Sequence, residues 1–390
     1  MIIKDLLALL ESTGNEALVL RGDDRDKLVV VAPSLMGRVM AAGFEGECGE
    51  TDAFIFEQQI RDGFSHEGKG TWNNFGGAER VWFGPDGGPF GTFFPPGKAQ
   101  TYQHMRFQPA LNRAEYRTVE RGSSGKRAVL GANIELTNYN GHRFLLEVRR
   151  EVKVLESCPF VVDPEDQIDC VGFQSTTTVK NVQAEPITRR TGPVTIWTVG
   201  QFDCRDHSVV MIPIRKGPAS KLGEPVCMEY TKHVTPGGVV PGRFMSVGEE
   251  CVLIGANGRA QIKLDVWRRR CLGRLGAIDL ERNRMTIVDF DFQPHMDYAA
   301  TYWLPYDGDP YDGAPISVMV VAGDAQNTGA LPFHELESVS PALFLGPNES
   351  FGHVNRTVHL RGDREALGKV CRRHFHADLE TLVEFDRQAR

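Results

Sequence analysis

The segment "NNFGGAERVWFGPDGGPFG" at 73–91 concentrates the side chains best suited to holding a polar ligand. Arg80 offers a rigid fork of donors for hydroxyl, carboxylate or phosphate oxygens. Trp82 and Phe83 offer flat apolar faces of the kind on which sugar C–H groups pack. Gly76 and Gly77 permit positive φ, or a close approach of backbone to a ligand. The same residues also suit a tight crossover, with Trp82 in a core and Glu79–Arg80 as an ion pair. Proton chemistry has two candidates nearby. His104 in "TYQHMRF" alternates with Tyr102 and Arg106, which on a strand puts all three on one face. His66 in "GFSHEGKG" sits in a loop that can overhang a groove.

Other constellations are weaker. "YWLPYDGDPYDG" interleaves Tyr302, Trp303, Tyr306 and Tyr311 with aspartates, which suits a carbohydrate rim or a set of tight turns. It matches a calcium loop only in part. His374 and His376 lie two apart on a predicted helix and face different ways, a poor metal pair. The eight cysteines show no metal spacing and read as reduced thiols, mostly buried. No metal site is expected. GxSxG, HExxH, Walker A and a strand–helix GxGxxG are all missing, so the reactions they serve gain no support.

The elements that position these residues are mainly strands. "KLVVVAP" is a continuous apolar run. "GKRAVLGANIELTNYNGHRFLLEVRREVKVLE" reads as two or three strands about a turn at Asn138–Gly141. In it Glu147, Arg149 and Glu151 share one face, against Leu146, Val148, Arg150 and Val152 on the other. Similar segments continue through "APISVMVVAGD". Helical patterning is confined to the two ends: residues 1–14, reading as a short amphipathic helix, and a helix over 363–388 with Asp363 as N-cap. Strand–helix alternation is absent, which excludes Rossmann and TIM-barrel architectures. One all-β domain over 1–390 is therefore expected, although single cores seldom exceed about 250–300 residues.

Charge narrows the partners. The net charge of −7 comes without a basic stripe, so no nucleic-acid partner is expected. No apolar stretch approaches membrane length, so no membrane partner is expected either. The N-terminal stretch does not read as an export signal, and the cytoplasm is the expected compartment.

"APSLMGRVMAAGFEG" and "WNNFGGAERVWFGPDGGPFGTFFPPG" resemble an uncharacterised bacterial family of the galactose mutarotase-like superfamily. "GPVTIWTVGQFD", "LGRLGAIDLERNRMTIVDFDF" and "HELESVSPALFLGPNESFGHVNRTVHL" extend the resemblance over most of the chain. Ala78 and Pro89 depart from the family's block, and "TYWLPYDGDPYDGAP" keeps its spacing only in part. The resemblance implies a β-supersandwich of antiparallel sheets with a small-molecule carbohydrate on its concave face. It implies acid–base ring opening by a glutamate and a histidine, as in aldose 1-epimerases, with no cofactor. The glutamate strand falls on "PFHELESVSPALF", so Glu335 and Glu337 become candidate bases. They share one strand face, with His334 on the other. His104 or His66 is then expected across from them. The implied substrate-binding set is Arg38, Asn74, Arg80, Trp82, Tyr102, Arg106 and Trp303. A binding protein without catalysis, or a lyase or hydrolase on the same face, fits the same fold.

Overall fold

The computed structural model describes residues 1–24, 26–44, 49–62, 76–163, 165–323 and 332–390. His66 and Asn74 lie outside them. Antiparallel sheet dominates, as the strand patterning predicts. A ten-stranded sheet and a six-stranded sheet carry the main core, and a three-stranded sheet flanks them.

The N-terminal helix, Ile3–Ser12, buries Ile3, Leu6, Leu9 and Leu10, one apolar face at helical spacing. It packs on the three-stranded sheet. There the continuous run Lys27–Ala32 resolves into two faces: Leu28, Val30 and Ala32 meet the helix side, while Val29 and Val31 join the main core. A strand buried on both sides has no room for alternating polarity. Arg127–Thr137 and Arg143–Val154 form the expected hairpin.

The C-terminal helix over 363–388 is in fact two, Arg364–Phe375 and Leu379–Ala389. His376 adopts the left-handed conformation (φ 56°) and ends the first. Asp363 caps it, accepting from the Ala366 amide at 2.8 Å. Among the described residues no helix is long and apolar enough to cross a membrane.

The six-stranded sheet positions the site. Its strands run, in spatial order, Val226–Cys227, Ile262–Val266, Ile316–Val321, Phe333–Val339, Thr195–Asp203 and Arg80–Gly84, all antiparallel. Its inner face meets the ten-stranded sheet through Leu336, Val318, Ile196 and Phe202. A polar network seals this contact. Glu79 accepts from Arg150 and, at 2.6 Å, from Asn355, while the Ser338 hydroxyl donates to Asn355 Oδ1 at 2.9 Å. Arg150 also donates to the Gly37 carbonyl at 2.9 Å and the Thr177 hydroxyl at 3.1 Å. Every charge in this network is paired, which is what burial demands.

Arg150→Ala should therefore leave Glu79 in the core without its counter-charge. We expect a loss of about 3–5 kcal/mol, read by chemical denaturation. A loss below about 1 kcal/mol would mean that water reaches Glu79.

Candidate active site

Partners directly opposite in an antiparallel ladder share a face. Glu335 lies opposite Gln201 and Met319, and Glu337 opposite Val199 and Ser317. Lys263 lies opposite Met319, and Asp265 opposite Ser317. Arg80 lies opposite Val199, and Trp82 opposite Trp197. The outer face of the sheet thus carries a row of charged and aromatic side chains. Each is buried, although this face looks away from the ten-stranded sheet. Asp86, Tyr230 and Thr301, from three separate loops, join Lys263, Asp265, Glu337 and Trp197 of this row in lining one cavity of about 30 Å³, while Glu335 and Arg80 lie beside it in the row and do not line it. That is room for one or two waters.

The carboxyls of this row are unequally served. Glu337 is fully engaged: Oε1 accepts from Lys263 at 2.7 Å and Oε2 from the Trp197 indole at 2.9 Å. Glu335 uses one oxygen. Its Oε1 accepts from Gln201 at 2.5 Å and Arg80 at 3.2 Å, while Oε2 has no hydrogen-bond partner among the described residues. Burial, aided by the charge of Glu337, pushes the Glu335 carboxyl up to about 7. Asp86 accepts from the Tyr230 and Thr301 hydroxyls, yet burial still lifts it to about 6. Asp265 is 1% exposed, and neither of its oxygens has a hydrogen-bond partner among the described residues. The nearby Ser317 hydroxyl turns instead to the Leu264 carbonyl at 3.5 Å. Burial raises Asp265 to about 6 against the pull of Lys263. Against the effect of burial, Glu337, Asp265 and Glu335 together hold the Lys263 ammonium above its ordinary value. Burial lowers Arg80 to about 10, and its guanidinium lies 3.7 Å over the Trp82 ring.

The structure brings several predicted residues together. Glu335, Glu337, Arg80 and Trp82 share the outer face, and His334 points inward beside Phe202, as alternation requires. Glu79 and Arg80 do not pair with each other: they serve opposite faces. Arg38 is buried beside Arg80 and donates to the Gly76 carbonyl at 2.7 Å. Trp303 stacks edge-on against Tyr102 at 5.0 Å and Phe94 at 5.1 Å, behind the cavity wall, so the tyrosine-rich stretch opens with packed rings and forms no rim there.

Tyr102, His104 and Arg106 do not form a strand face. Tyr102–His104 is a 3-10 turn. His104 Nδ1 lies 2.9 Å from the Ala99 carbonyl, and Arg106 donates to the carbonyls of Gln103 and Met105. Both are spent on their own turn and are not brought to the carboxyls. The glycines also serve the protein itself. A Cβ at Gly77 (φ 99°) would meet Arg38 Cδ at 2.7 Å, and one at Gly87 would meet Trp303 Cδ1 at 2.4 Å. Lys263, Asp265, Gln201, Asp86 and Tyr230 were missed by sequence reasoning. The one signal for them was the alternation of Gln261, Lys263 and Asp265 in "QIKLDVW", which a solvated strand also shows.

Known proteins add a family and a fold. A family model described as "Family of unknown function (DUF6786)" matches residues 3–385. No curated protein matches the chain. A candidate aldose 1-epimerase from Escherichia coli K12 superposes with a TM-score of 0.52 at 10% identity, over 90% of this chain and 100% of its own. Another, from Klebsiella pneumoniae subsp. pneumoniae MGH 78578, gives 0.51 at 10% identity, over 92% of this chain and 81% of its own. These likenesses establish the galactose mutarotase-like fold.

Asp265 supplies a test of the site's electrostatics. Its folded value, about 6, is above the ordinary 3.8. Its contribution to stability is therefore full below about pH 4 and is lost as pH rises through about 6. Asp265→Asn should stabilise the protein by about 1–3 kcal/mol near pH 8 and by almost nothing near pH 4, by denaturation at the two pH values. An equal effect at both would mean that Asp265 is ionised at an ordinary value.

Proposed function

This chain belongs to the DUF6786 family of unknown function, and within it we propose a carbohydrate-active protein, a mutarotase-like isomerase working on the outer face of the six-stranded sheet. The observation that carries the reading is Glu335: a buried carboxyl in a row of polar and aromatic groups, with one oxygen lacking a hydrogen-bond partner among the described residues and a pKa pushed up to about 7. A base works best when its pKa lies near the working pH.

Ring opening needs a base for the anomeric hydroxyl and an acid for the ring oxygen. In this reading Glu335 Oε2 takes the proton. Asp265, protonated up to about pH 6, supplies the other in place of a histidine. The ring opens, the C1–C2 bond rotates, and reclosure returns both protons. Glu337, held by Lys263 and Trp197, adds its like charge to burial in raising the Glu335 carboxyl. Arg80 and Lys263 supply donors for sugar hydroxyls. A pyranose is larger than the cavity, so this reading requires the loops bearing Asp86, Tyr230 and Thr301 to open for it.

The test is anomer exchange by NMR over a panel of free sugars, sugar phosphates and uronic acids. On a sugar that binds, Glu335→Gln should cut exchange by about 10²–10⁴ while binding persists. Exchange in the wild type should be bell-shaped in pH, highest between about 6 and 7, the ionisations assigned to the acid and base. Binding without exchange in the wild type makes the chain a binding protein. Unaltered exchange in Glu335→Gln removes Glu335 as the base.

A further inference from the structure

A second site lies far from the carboxyl row in the fold, at one end of the ten-stranded sheet. Arg143–Val154 pairs with Ile168–Asn181, and the last ladder pair is Val154 with Phe173. The Leu155 amide still donates to the Gly172 carbonyl at 2.9 Å. The chain then turns, and Cys158 comes back beside Cys170. Both are free thiols, partly exposed, and both line a cavity of about 410 Å³. That volume accepts a small organic molecule.

The two sulfurs are not equivalent. Cys158 faces the Cys170 thiol across this cavity and lies near the backbone amides of Phe160 and Val161. Lys27 adds positive charge at the cavity wall. This is a cradle for a thiolate. It brings Cys158 down to about 7, the hydrogen bond from Cys170 being the largest cause. The same hydrogen bond, with burial, raises Cys170 well above its ordinary range. The described cysteines elsewhere, Cys204, Cys227, Cys251, Cys271 and Cys371, are all raised by burial.

We propose that Cys158 and Cys170 form a redox-active dithiol, with Cys158 as nucleophile and Cys170 as resolving thiol, that reacts with a neutral low-molecular-weight disulfide in this cavity. The Cys158 thiolate attacks one sulfur of the disulfide. The S–S bond breaks, and the departing thiolate takes a proton from water. Cys158, now in a mixed disulfide, no longer holds the Cys170 proton, so Cys170 ionises more readily. Its thiolate attacks the Cys158 sulfur and expels the second thiol. Two protein thiols are oxidised to one disulfide, and the small disulfide is reduced to two thiols. The rim disfavours an anionic reagent. Asp24, Asp26, Glu156 and Asp169 outnumber Lys27 and Arg361 there by two charges.

The experiment treats the folded protein with excess 2-hydroxyethyl disulfide near neutral pH and maps the products by mass spectrometry. The wild type should lose two thiols and yield a Cys158–Cys170 cross-link that dithiothreitol reverses. Cys170→Ser should stop at a mixed disulfide on Cys158. Cys158→Ser should leave Cys170 unmodified over the same time. A wild type that accumulates the mixed disulfide without the cross-link overturns the proposal. So does modification of Cys170 in Cys158→Ser at the wild-type rate. A readout on the wild type alone guards against variants that fold poorly. At about pH 7 iodoacetamide should alkylate Cys158 about threefold faster than an ordinary thiol, the larger thiolate fraction being partly offset by lower nucleophilicity. Alkylation slower than that of an ordinary thiol also overturns it.

Discussion

A charge taken out of water must find a counter-charge or give up its ionisation. The outer face of the six-stranded sheet meets that demand in graded steps. Glu337 has a lysine and an indole. Glu335 has an arginine and an amide on one oxygen only. Asp265 has no hydrogen-bond donor among the described residues. Evolution can satisfy such groups cheaply with an amide or an apolar side chain, so an unsatisfied carboxyl marks a place where stability has been yielded. Glu335 and Asp265, which keep an oxygen without a donor among the described residues, are both raised, and Asp86, hydrogen-bonded at both oxygens, is raised by burial alone.

The inner face of the same sheet shows the opposite solution. Glu79, Arg150, Asn355 and Ser338 pair completely and hold two sheets in register. Glu79 and Arg80 are neighbours in sequence, and strand alternation alone sends one to each network. The fully paired and the incompletely paired charges are thus separated by one sheet thickness. The fold requires the inner network, while the outer network is a burden that the fold carries.

Much of this was legible in the sequence, and the reasons differ by residue. Glu335 and Glu337 were placed on one face because a period of two is independent of tertiary context. The hairpin around Asn138 followed from its turn residues and alternation. Arg150 was visible as a cation in the apolar register of its strand, which is the mark of a buried pair, but its partner lies 71 residues away and no local rule finds it. Asp265 and Lys263 alternate as an exposed strand would; only the loops folded over them turn the pattern into a site. His104 misled because alternation was read where the chain makes a single 3-10 turn. The break at His376 escaped because a left-handed residue other than glycine leaves little trace in sequence.

The most direct measurement is the titration of the Glu335 carboxyl itself. Carbon-13 labelling of glutamate side chains, with Glu335→Gln to assign the resonance, follows its ionisation in the intact protein. The midpoint should lie near 7, set by burial and by the charge of Glu337. A midpoint near the ordinary 4.5 would contradict Glu335 as the base, because it would then be an ordinary paired carboxylate, too weakly basic to be matched to neutral pH.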